Sequence, residues 1–183
     1  MTLTYPLESI LTKGFFGDYE GKNEEDIIKI REVKDLLIVQ IAQYKNSSFS
    51  IEDINIDGIG LFNESSKISY NNETRILWSG PRNWFLISNK KELLENIKKL
   101  FNENDFAITD LSHSRAIIEL EGKNSKEILK KGCPYNFNEL KKNKCVNSVF
   151  NGITITIDMV EENPEKVRLF ALRSFGESLY HSI

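Results

Sequence analysis

Apolar and polar residues alternate in short runs along this chain, a pattern typical of β-strands that bury one face. The strictest run is 153–158, where Ile153, Ile155 and Ile157 fall on one face and two threonines and an aspartate fall on the other. A second apolar run at 166–172 should pair with it. The pattern therefore predicts a sheet with one buried face in this part of the chain.

Two hairpins are predicted upstream of that sheet. The runs 26–31 and 35–42 are apolar and β-branched and are separated by a short charged break, which favours a first hairpin. The runs 75–78 and 84–88 flank a Gly80-Pro81 pair, and this pair requires a turn between them. A second hairpin is therefore expected here.

Three segments carry helix signals. Asn89 and Glu92 form a capping pair ahead of apolar residues that recur at helical spacing. Asn124 and Glu127 repeat this signal ahead of Gly132, which is placed to end a short helix. A third capping pair opens a helix near the last residues of the sequence. The capping pair of this last helix is Ser174 and Glu177. The predicted apolar face of the first helix is Leu93, Leu94, Ile97, Leu100 and Phe101, and that of the last helix is Phe175, Leu179 and Ile183.

Strands are also predicted at 106–111 and 115–121, on either side of Ser112-His113-Ser114. The elements then follow roughly the order β-β-α-β-β-α-β-β-α. Strand pairs that alternate with single helices favour antiparallel or mixed sheets with helices on one face, so the predicted fold class is α+β.

We expect the 183 residues to form one compact unit, 1–183. Within it we place two approximate lobes, 24–104 and 105–183, and we interpret 1–23 as an extended N-terminal segment.

Composition and charge exclude several classes of protein. The net charge of −3 and the scattered lysine pairs do not support nucleic-acid binding. No apolar stretch approaches the roughly 20 residues that a bilayer span needs, so no membrane association is expected. No secretory signal is visible, and Cys133 and Cys145 are too few and too widely spaced for a disulfide scaffold. We therefore expect a cytoplasmic protein with two free thiols.

The usual signatures of cofactors and metals are not found in the sequence. His113 and His181 are far apart and are not grouped with cysteines at zinc-ligand spacing. Gly58-Ile59-Gly60 lacks the third glycine and the following helix of a dinucleotide-binding motif. We expect any flavin or nicotinamide chemistry to come from another chain.

Asp110, Ser112, His113 and Cys133 are the most reactive-looking set. They could supply an acid, a base and a nucleophile. The interpretation that we favour is structural: Asp110 and Ser112 close a turn between strands, His113 bonds nearby backbone, and Cys133 is a buried thiol before a rigid proline turn.

Three segments carry short motifs. They read Leu-Trp-Ser-Gly-Pro-Arg-Asn-Trp-Phe-Leu at 77–86, Asp-Leu-Ser-His-Ser-Arg at 110–115 followed by Leu-Lys-Lys-Gly-Cys-Pro at 129–134, and Arg-Ser-Phe-Gly-Glu-Ser-Leu-Tyr at 173–180. In their order and spacing they resemble the gamma subunit family of heterotetrameric sarcosine oxidase over residues 75–183. The first 70 residues match only in general character.

The resemblance implies a non-catalytic subunit of a complex that oxidises sarcosine to glycine, passes the methyl carbon to tetrahydrofolate and reduces oxygen to hydrogen peroxide. It implies alpha, beta and delta subunits as partners, and places FAD, FMN, NAD and tetrahydrofolate in those subunits and none in this chain. It also implies two ferredoxin-like β-β-α-β lobes resembling the folate-binding domain of aminomethyltransferase. Sarcosine catabolism and one-carbon metabolism are therefore the expected context.

A freestanding folate-binding or aminomethyltransferase-like protein is the alternative. If the chain is instead a subunit, a face meant for larger partners would leave an apolar patch exposed, so the isolated chain could form a homo-oligomer.

The resemblance carries no catalytic, cofactor-binding or metal-binding residues to this chain, so the candidate sites are interface residues. Arg82, Arg115 and Arg173 lie at turns or strand edges of the quoted segments, where each could clasp a partner carboxylate or tie two loops of this chain together. Trp78 and Trp84 flank the predicted turn. Alternation places at least one in the core, whereas an exposed one would indicate a partner surface. The candidate interface residues are Arg82, Trp84, Arg115 and Arg173.

Overall fold

Two stretches of the chain that are distant in sequence, Met1–Lys34 and Ser114–Ile183, form one unit, and Asp35–His113 forms another. We call them unit 1 and unit 2. The computed structural model describes residues 4–12, 15–16, 21, 23 and 27–183. Each unit combines an antiparallel sheet with at least one short helix, which confirms the α+β class.

The described strands and helices are short and follow one another closely. They are β1 (Phe15–Phe16), β2 (Ile28–Glu32), β3 (Leu37–Gln43), β4 (Asn55–Ile56), β5 (Ile59–Gly60), β6 (Ile68–Tyr70), β7 (Thr74–Gly80), β8 (Asn83–Ser88), α1 (Leu93–Leu100), β9 (Phe106–Asp110), β10 (Arg115–Glu121), α2 (Ser125–Lys130), β11 (Cys145–Phe150), β12 (Ile153–Glu162), β13 (Glu165–Leu172) and α3 (Gly176–Ser182), with a 3-10 turn at Arg173–Phe175.

Unit 1 contains a six-stranded sheet in the order β1-β2-β10-β13-β12-β11, and each neighbouring pair is antiparallel. The predicted pairing of the last two apolar runs is confirmed, since Ile157 on β12 lies opposite Leu169 on β13. One face carries Ile118, Ile157 and Leu169 into a core that also takes Leu129 from α2 and Leu179 from α3. Helices therefore cover the apolar face of this sheet, as the pattern predicts.

Unit 2 contains a five-stranded antiparallel sheet in the order β6-β7-β8-β3-β9 and a small β4-β5 hairpin. The predicted second hairpin is confirmed by the β7-β8 pair, in which Trp78 lies opposite Trp84. Leu93 and Ile97 of α1 pack against this sheet, with Trp84 and Ile41 in the same core. The order β7-β8-α1-β9 is the β-β-α-β arrangement of a ferredoxin-like lobe, and β2-β10-α2-β11 repeats it in unit 1.

The first predicted hairpin is wrong. Its two runs became β2 and β3, but β2 pairs with β1 and β10, and β3 pairs with β8 and β9. The charged break between them ends at Asp35, whose φ of 61° turns the chain, yet the two strands enter different sheets. Local sequence predicted the strands correctly and their partners incorrectly.

The predicted lobe boundaries differ from the two units for the same reason. Residues 27–34 belong with the later part of the chain because β2 pairs in register with β10, so that Ile30 lies opposite Leu120. The strand β9 belongs to unit 2 because it pairs with β3. The boundaries therefore fall after Lys34 and after His113, and 24–104 and 105–183 are not the compact segments.

Part of the predicted extended segment 1–23 lies outside the described residues. Its described part includes a turn over residues 6–10, in which Leu7 is fully buried in the unit 1 core. Thr12 N donates a hydrogen bond to the Tyr180 hydroxyl at 3.0 Å. The burial of Leu7 thus holds the described turn at residues 6–10 against the unit 1 core, so this part is not extended.

The helix α1 begins at Leu93, so the predicted cap at Asn89 is wrong. Ser88 Oγ instead accepts the backbone N–H of Lys90 at 3.1 Å, and a turn precedes the helix. Leu93 and Ile97 are buried as predicted, whereas Leu100 is half exposed. Within the described residues, no helix is long and apolar enough to cross a bilayer.

Glu119 on β10 joins three strands of unit 1. Its side chain is completely buried, with Arg31 Nε of β2 at 2.7 Å from Oε1 and Arg168 Nε of β13 at 2.8 Å from Oε2. Both arginines lie directly opposite Glu119 in the strand register. A buried carboxylate is tolerated when it is paired and hydrogen-bonded, and here both oxygens are.

Asp57 has the corresponding role in unit 2. It occupies the β4-β5 turn with a φ of 55°, and its carboxylate accepts hydrogen bonds from Lys90 Nζ at 2.9 Å and Thr74 Oγ1 at 2.7 Å. The pairing with Lys90, then the bonds from Thr74 and Asn71, lowers the pKa of Asp57 to about 2. The Gly58-Ile59-Gly60 fragment is therefore part of a hairpin turn that this carboxylate holds.

We predict that Glu119→Gln destabilises the protein by about 3 kcal/mol, because it leaves two arginine charges without their buried partner, while their partial exposure keeps the loss at the low end of the range for broken buried pairs. Urea unfolding followed by circular dichroism measures this. Glu121→Gln is the matched control: Glu121 lies on the same strand but its pair with Lys166, at 3.3 Å, is partly exposed. It should cost less than about 1 kcal/mol, and equal losses in the two variants would contradict the assignment.

We predict that Asp57 stabilises the protein in a pH-dependent way. Because its folded pKa of about 2 lies below the ordinary aspartate value of about 3.9, its contribution is complete above that ordinary value and is lost as the pH falls towards about 2. The urea midpoints of the wild type and Asp57→Asn should therefore differ at pH 6 and converge at acidic pH. Asn tolerates the left-handed backbone of the turn, so the variant tests the charge.

The exposed Asp53 gives the control for this profile. Asp53→Asn should leave the dependence of the urea midpoint on pH unchanged, because no hydrogen bond or ion pair within the described residues involves Asp53. A pH profile of Asp57→Asn that runs parallel to that of the wild type would refute the role of Asp57.

Candidate functional site

The structure separates the four predicted interface residues into two groups. Arg82 has a φ of 59° in the β7-β8 turn, and its guanidinium donates to the carbonyl oxygens of Tyr44, at 3.0 Å, and Lys45. It thus ties two loops of unit 2, which is one of the two roles left open above. Trp84 is fully buried and donates Nε1–H to the Phe62 carbonyl at 2.6 Å. Its placement at a surface is therefore corrected, because alternation along β8 points it into the core.

Arg115 and Arg173 come together at one edge of unit 1. Arg115 begins β10 and lies opposite Leu172, the last residue of β13. The backbone N–H of Arg173 then donates to the Ser114 carbonyl at 2.9 Å, which joins the two chain segments beyond the ends of the strands. Two of the quoted motifs, 110–115 and 173–180, thus meet here.

A groove of about 520 Å³ opens at this junction. We call it the 172–177 groove, and it is lined by Pro6, Ser114, Leu172, Arg173, Ser174 and Glu177. Leu172 and the neighbouring Phe175 are each 46% exposed. The groove therefore combines exposed apolar surface with a guanidinium.

Both arginines of the junction are oriented by backbone groups. One guanidinium nitrogen of Arg173 donates to the carbonyl oxygen of Thr4 in the N-terminal segment. Arg115 Nη1 lies 3.4 Å from the Ser114 carbonyl oxygen. Burial lowers the pKa of Arg115, although an arginine remains charged at neutral pH.

Glu32 supports this edge from within the unit. Its side chain is almost completely buried, and its Oε1 accepts the backbone N–H of Leu7 at 3.3 Å. Its Oε2 lies 3.7 Å from Lys34 Nζ. Burial raises the pKa of Glu32, and the Leu7 bond and the charges of Lys34 and Arg173 oppose that rise without cancelling it. Glu32 therefore fixes the N-terminal turn that brings Pro6 to the groove.

The exposure of Phe175 is a feature that the sequence pattern missed. The helical spacing placed Phe175 on the buried face of the last helix. The structure instead has a 3-10 turn over Arg173–Phe175, and α3 begins at Gly176. The change of helical period rotates Phe175 outward while Leu179 stays buried.

Three of the four reactive-looking residues, Asp110, Ser112 and Cys133, are engaged in structural hydrogen bonds. Ser112 donates its N–H, at 2.9 Å, and its hydroxyl, at 2.6 Å, to Asp110 Oδ1, while its Oγ accepts Ile38 N–H at 3.0 Å. Burial raises the pKa of Asp110, but the Ser112 bonds outweigh it and lower that pKa overall. In unit 1, the buried Cys133 thiol donates to Ser148 Oγ at 3.0 Å. These contacts favour the structural interpretation over a nucleophile.

Unit 2 also contains a cavity of about 610 Å³, with Leu61 and Trp84 among its walls and Lys67 and Arg82 as its cations. Lys67 Nζ is paired with Glu64 at 2.9 Å, and Arg82 is bonded to backbone carbonyls. Within the described residues, no three His, Cys, Asp or Glu side chains are grouped so that they could hold a metal ion. The cations of this cavity are thus used internally.

Comparison with known proteins agrees with the quoted motifs. Residues 58–182 match the sequence model of the sarcosine oxidase, gamma subunit family. The sarcosine oxidase subunit gamma of Corynebacterium sp. (strain U-96) is 25% identical over 111 residues, which are 59% of this chain and 53% of that protein. The match thus spans about half the length of this relative.

Solved structures show the same fold. A chain of the heterotetrameric sarcosine oxidase from Corynebacterium sp. U-96, in complex with pyrrole 2-carboxylate, superimposes with a TM-score of 0.78 at 22% identity, covering 87% of this chain and 83% of that one. The glycine cleavage system aminomethyltransferase T from Bartonella henselae gives a TM-score of 0.64 at 12% identity, covering 86% of this chain and 45% of that one. The predicted resemblance to the aminomethyltransferase fold is confirmed.

We predict that Gly176→Ala destabilises the protein by about 1–3 kcal/mol, the usual cost of overpacking. An added Cβ would lie 2.9 Å from Ala116 Cβ and 3.2 Å from Pro6 Cβ, so β10 or the N-terminal turn must shift. Gly60→Ala is the control, because the nearest atom to its Cβ would be 3.8 Å away. Thermal unfolding of both variants checks this, and equal midpoints would show that α3 is not closely packed at Gly176.

Proposed function

This chain belongs to the sarcosine oxidase, gamma subunit family, and on that premise we propose that it is a non-catalytic gamma subunit of a heterotetrameric sarcosine oxidase. Its contribution is to assembly: it offers a folded surface to the alpha, beta and delta subunits. The complex oxidises sarcosine to glycine and passes the one-carbon unit to tetrahydrofolate.

The positions of the family-motif residues in the fold support this proposal. Gly132 and Gly176 pack where a Cβ would approach other atoms within 3 Å, and Cys133 is buried in the core. The quoted segments therefore build the fold, and where two of them emerge they form the apolar and cationic 172–177 groove. The single observation that carries the proposal is that the motif residues provide packing and exposed contact surface.

We propose that FAD, FMN, NAD and tetrahydrofolate are bound by the partner subunits. Each of these cofactors is an anion, and the two cations of the unit 2 cavity already pair with Glu64 or with backbone carbonyls. We also propose a cytoplasmic location, which agrees with the free thiols of Cys133 and Cys145.

The second candidate function is that of a freestanding folate-binding protein, because the fold is shared with an aminomethyltransferase. The 610 Å³ cavity of unit 2 is large enough for a small-molecule ligand. Lys67 and Arg82 would have to leave their present partners to bind the carboxylates of folate, which would cost affinity. Calorimetry with tetrahydrofolate on the isolated chain distinguishes the two functions, and saturable micromolar binding would favour the second.

We predict that the chain co-purifies with alpha, beta and delta partners in a stable complex when all four are expressed together with a tag on this chain. Size-exclusion chromatography with mass determination measures the stoichiometry, and a tagged folate-binding protein of similar size serves as the control. Sarcosine-dependent oxygen uptake should be found only in the assembled complex. Recovery of this chain alone, or turnover by the isolated chain, would refute the proposal.

A further inference from the structure

We propose that the 172–177 groove receives a segment of a partner subunit in which an acidic side chain neighbours an apolar one. Arg173 binds the carboxylate, and Leu172 and Phe175 cover the apolar side chain. This inference rests on the proposed function and specifies the chemistry of one contact within it.

The apolar half of the contact is formed by two side chains three positions apart in the sequence. Leu172 and Phe175 are each 46% exposed, at the end of β13 and in the turn that follows. A single exposed leucine is ordinary, but here two large apolar side chains are exposed within four residues, and Leu172 lines the groove of about 520 Å³. Phe and Arg are also enriched at the centres of protein interfaces.

Arg173 supplies the charge. It is bonded to the Thr4 carbonyl, and within the described part of the chain no carboxylate lies within ion-pair distance of it. Its charge acts on Glu32 through space, but Glu32 is buried on the inner side. The guanidinium has five N–H donors in a planar fork, so donors remain for a two-point contact with a carboxylate.

The local charge balance favours an anionic partner group. Glu177, the acid that lines the groove, extends into solvent on α3 and lies 3.9 Å from His181. Glu177 therefore forms no ion pair with Arg173, and charge complementarity to Arg173 specifies an acidic residue in the partner.

A segment of a different subunit can present both chemical groups at once. In a two-fold symmetric dimer the same patch faces itself, and the acid that it offers, Glu177, already lies 3.9 Å from His181 on α3. A small carboxylate would satisfy Arg173 but would leave Leu172 and Phe175 exposed. A peptide segment with both chemical groups satisfies all of these side chains.

Substitutions in the full chain, assembled with its partners, test the contact. We expect Arg173→Gln to weaken the complex at least tenfold on dilution, measured by mass photometry, and to reduce the dependence of assembly on salt. Phe175→Ser should weaken it to a similar degree with the salt dependence unchanged. Both variants should unfold at the wild-type temperature, which separates lost binding from lost folding.

Two substitutions elsewhere serve as matched controls. Leu100→Ser removes a half-exposed apolar side chain from α1, and Lys131→Gln removes an exposed charge outside the groove. Both should leave the dissociation of the complex unchanged. If the controls weaken the complex as much as Arg173→Gln and Phe175→Ser, or if none of the four does, the inference is wrong.

A photo-reactive phenylalanine analogue at position 175 identifies the occupant directly. We expect a cross-link to a partner peptide that contains Asp or Glu beside an apolar residue. A cross-link to a second copy of this chain, or none in an assembled complex, would overturn the inference alone. Failure of the wild-type chain to enter any complex would instead overturn the proposed function and this inference together.

Discussion

The ion pairs of Glu119 with Arg31 and Arg168 are the contact on which unit 1 depends. They join β2, β10 and β13, and β2 precedes unit 2 in the chain whereas the other two strands follow it. Closing a loop of this length costs conformational entropy, which strand pairing and burial must offset. A completely buried carboxylate also disfavours any shifted register, because a one-residue slip would move Glu119 away from both arginines.

The groove follows from this strand arrangement. Ser114 and Arg115 lie at the start of β10, and Leu172 and Arg173 lie at the end of β13, so the β10-β13 register determines which side chains meet. The N-terminal turn completes the surface, since Leu7 anchors it in the core. A subunit that acts through contact surface needs such rigidity, because ordering a loop on binding would reduce affinity.

The candidate interface residues show what sequence can and cannot predict about a surface. The motif segments identified four positions, and the structure brings only Arg115 and Arg173 together. Arg82 is used within its own unit and Trp84 is buried. Sequence could not separate these cases, because an arginine at a turn looks the same whether its partner is a carbonyl of the same chain or a carboxylate of another. The alternation around Trp84 was the one local signal available.

The sequence by itself determined the local elements: the alternating strand β12, the β7-β8 hairpin and the buried face of α1 follow from periodicity and turn chemistry acting over a few residues. The tertiary structure alone decided that β2 joins β10, where unit 2 begins and ends, and that Phe175 faces outward. The physical reason is that strand pairing and burial depend on which distant surfaces cover each other, and no local pattern of apolar residues records the identity of the surface that covers it.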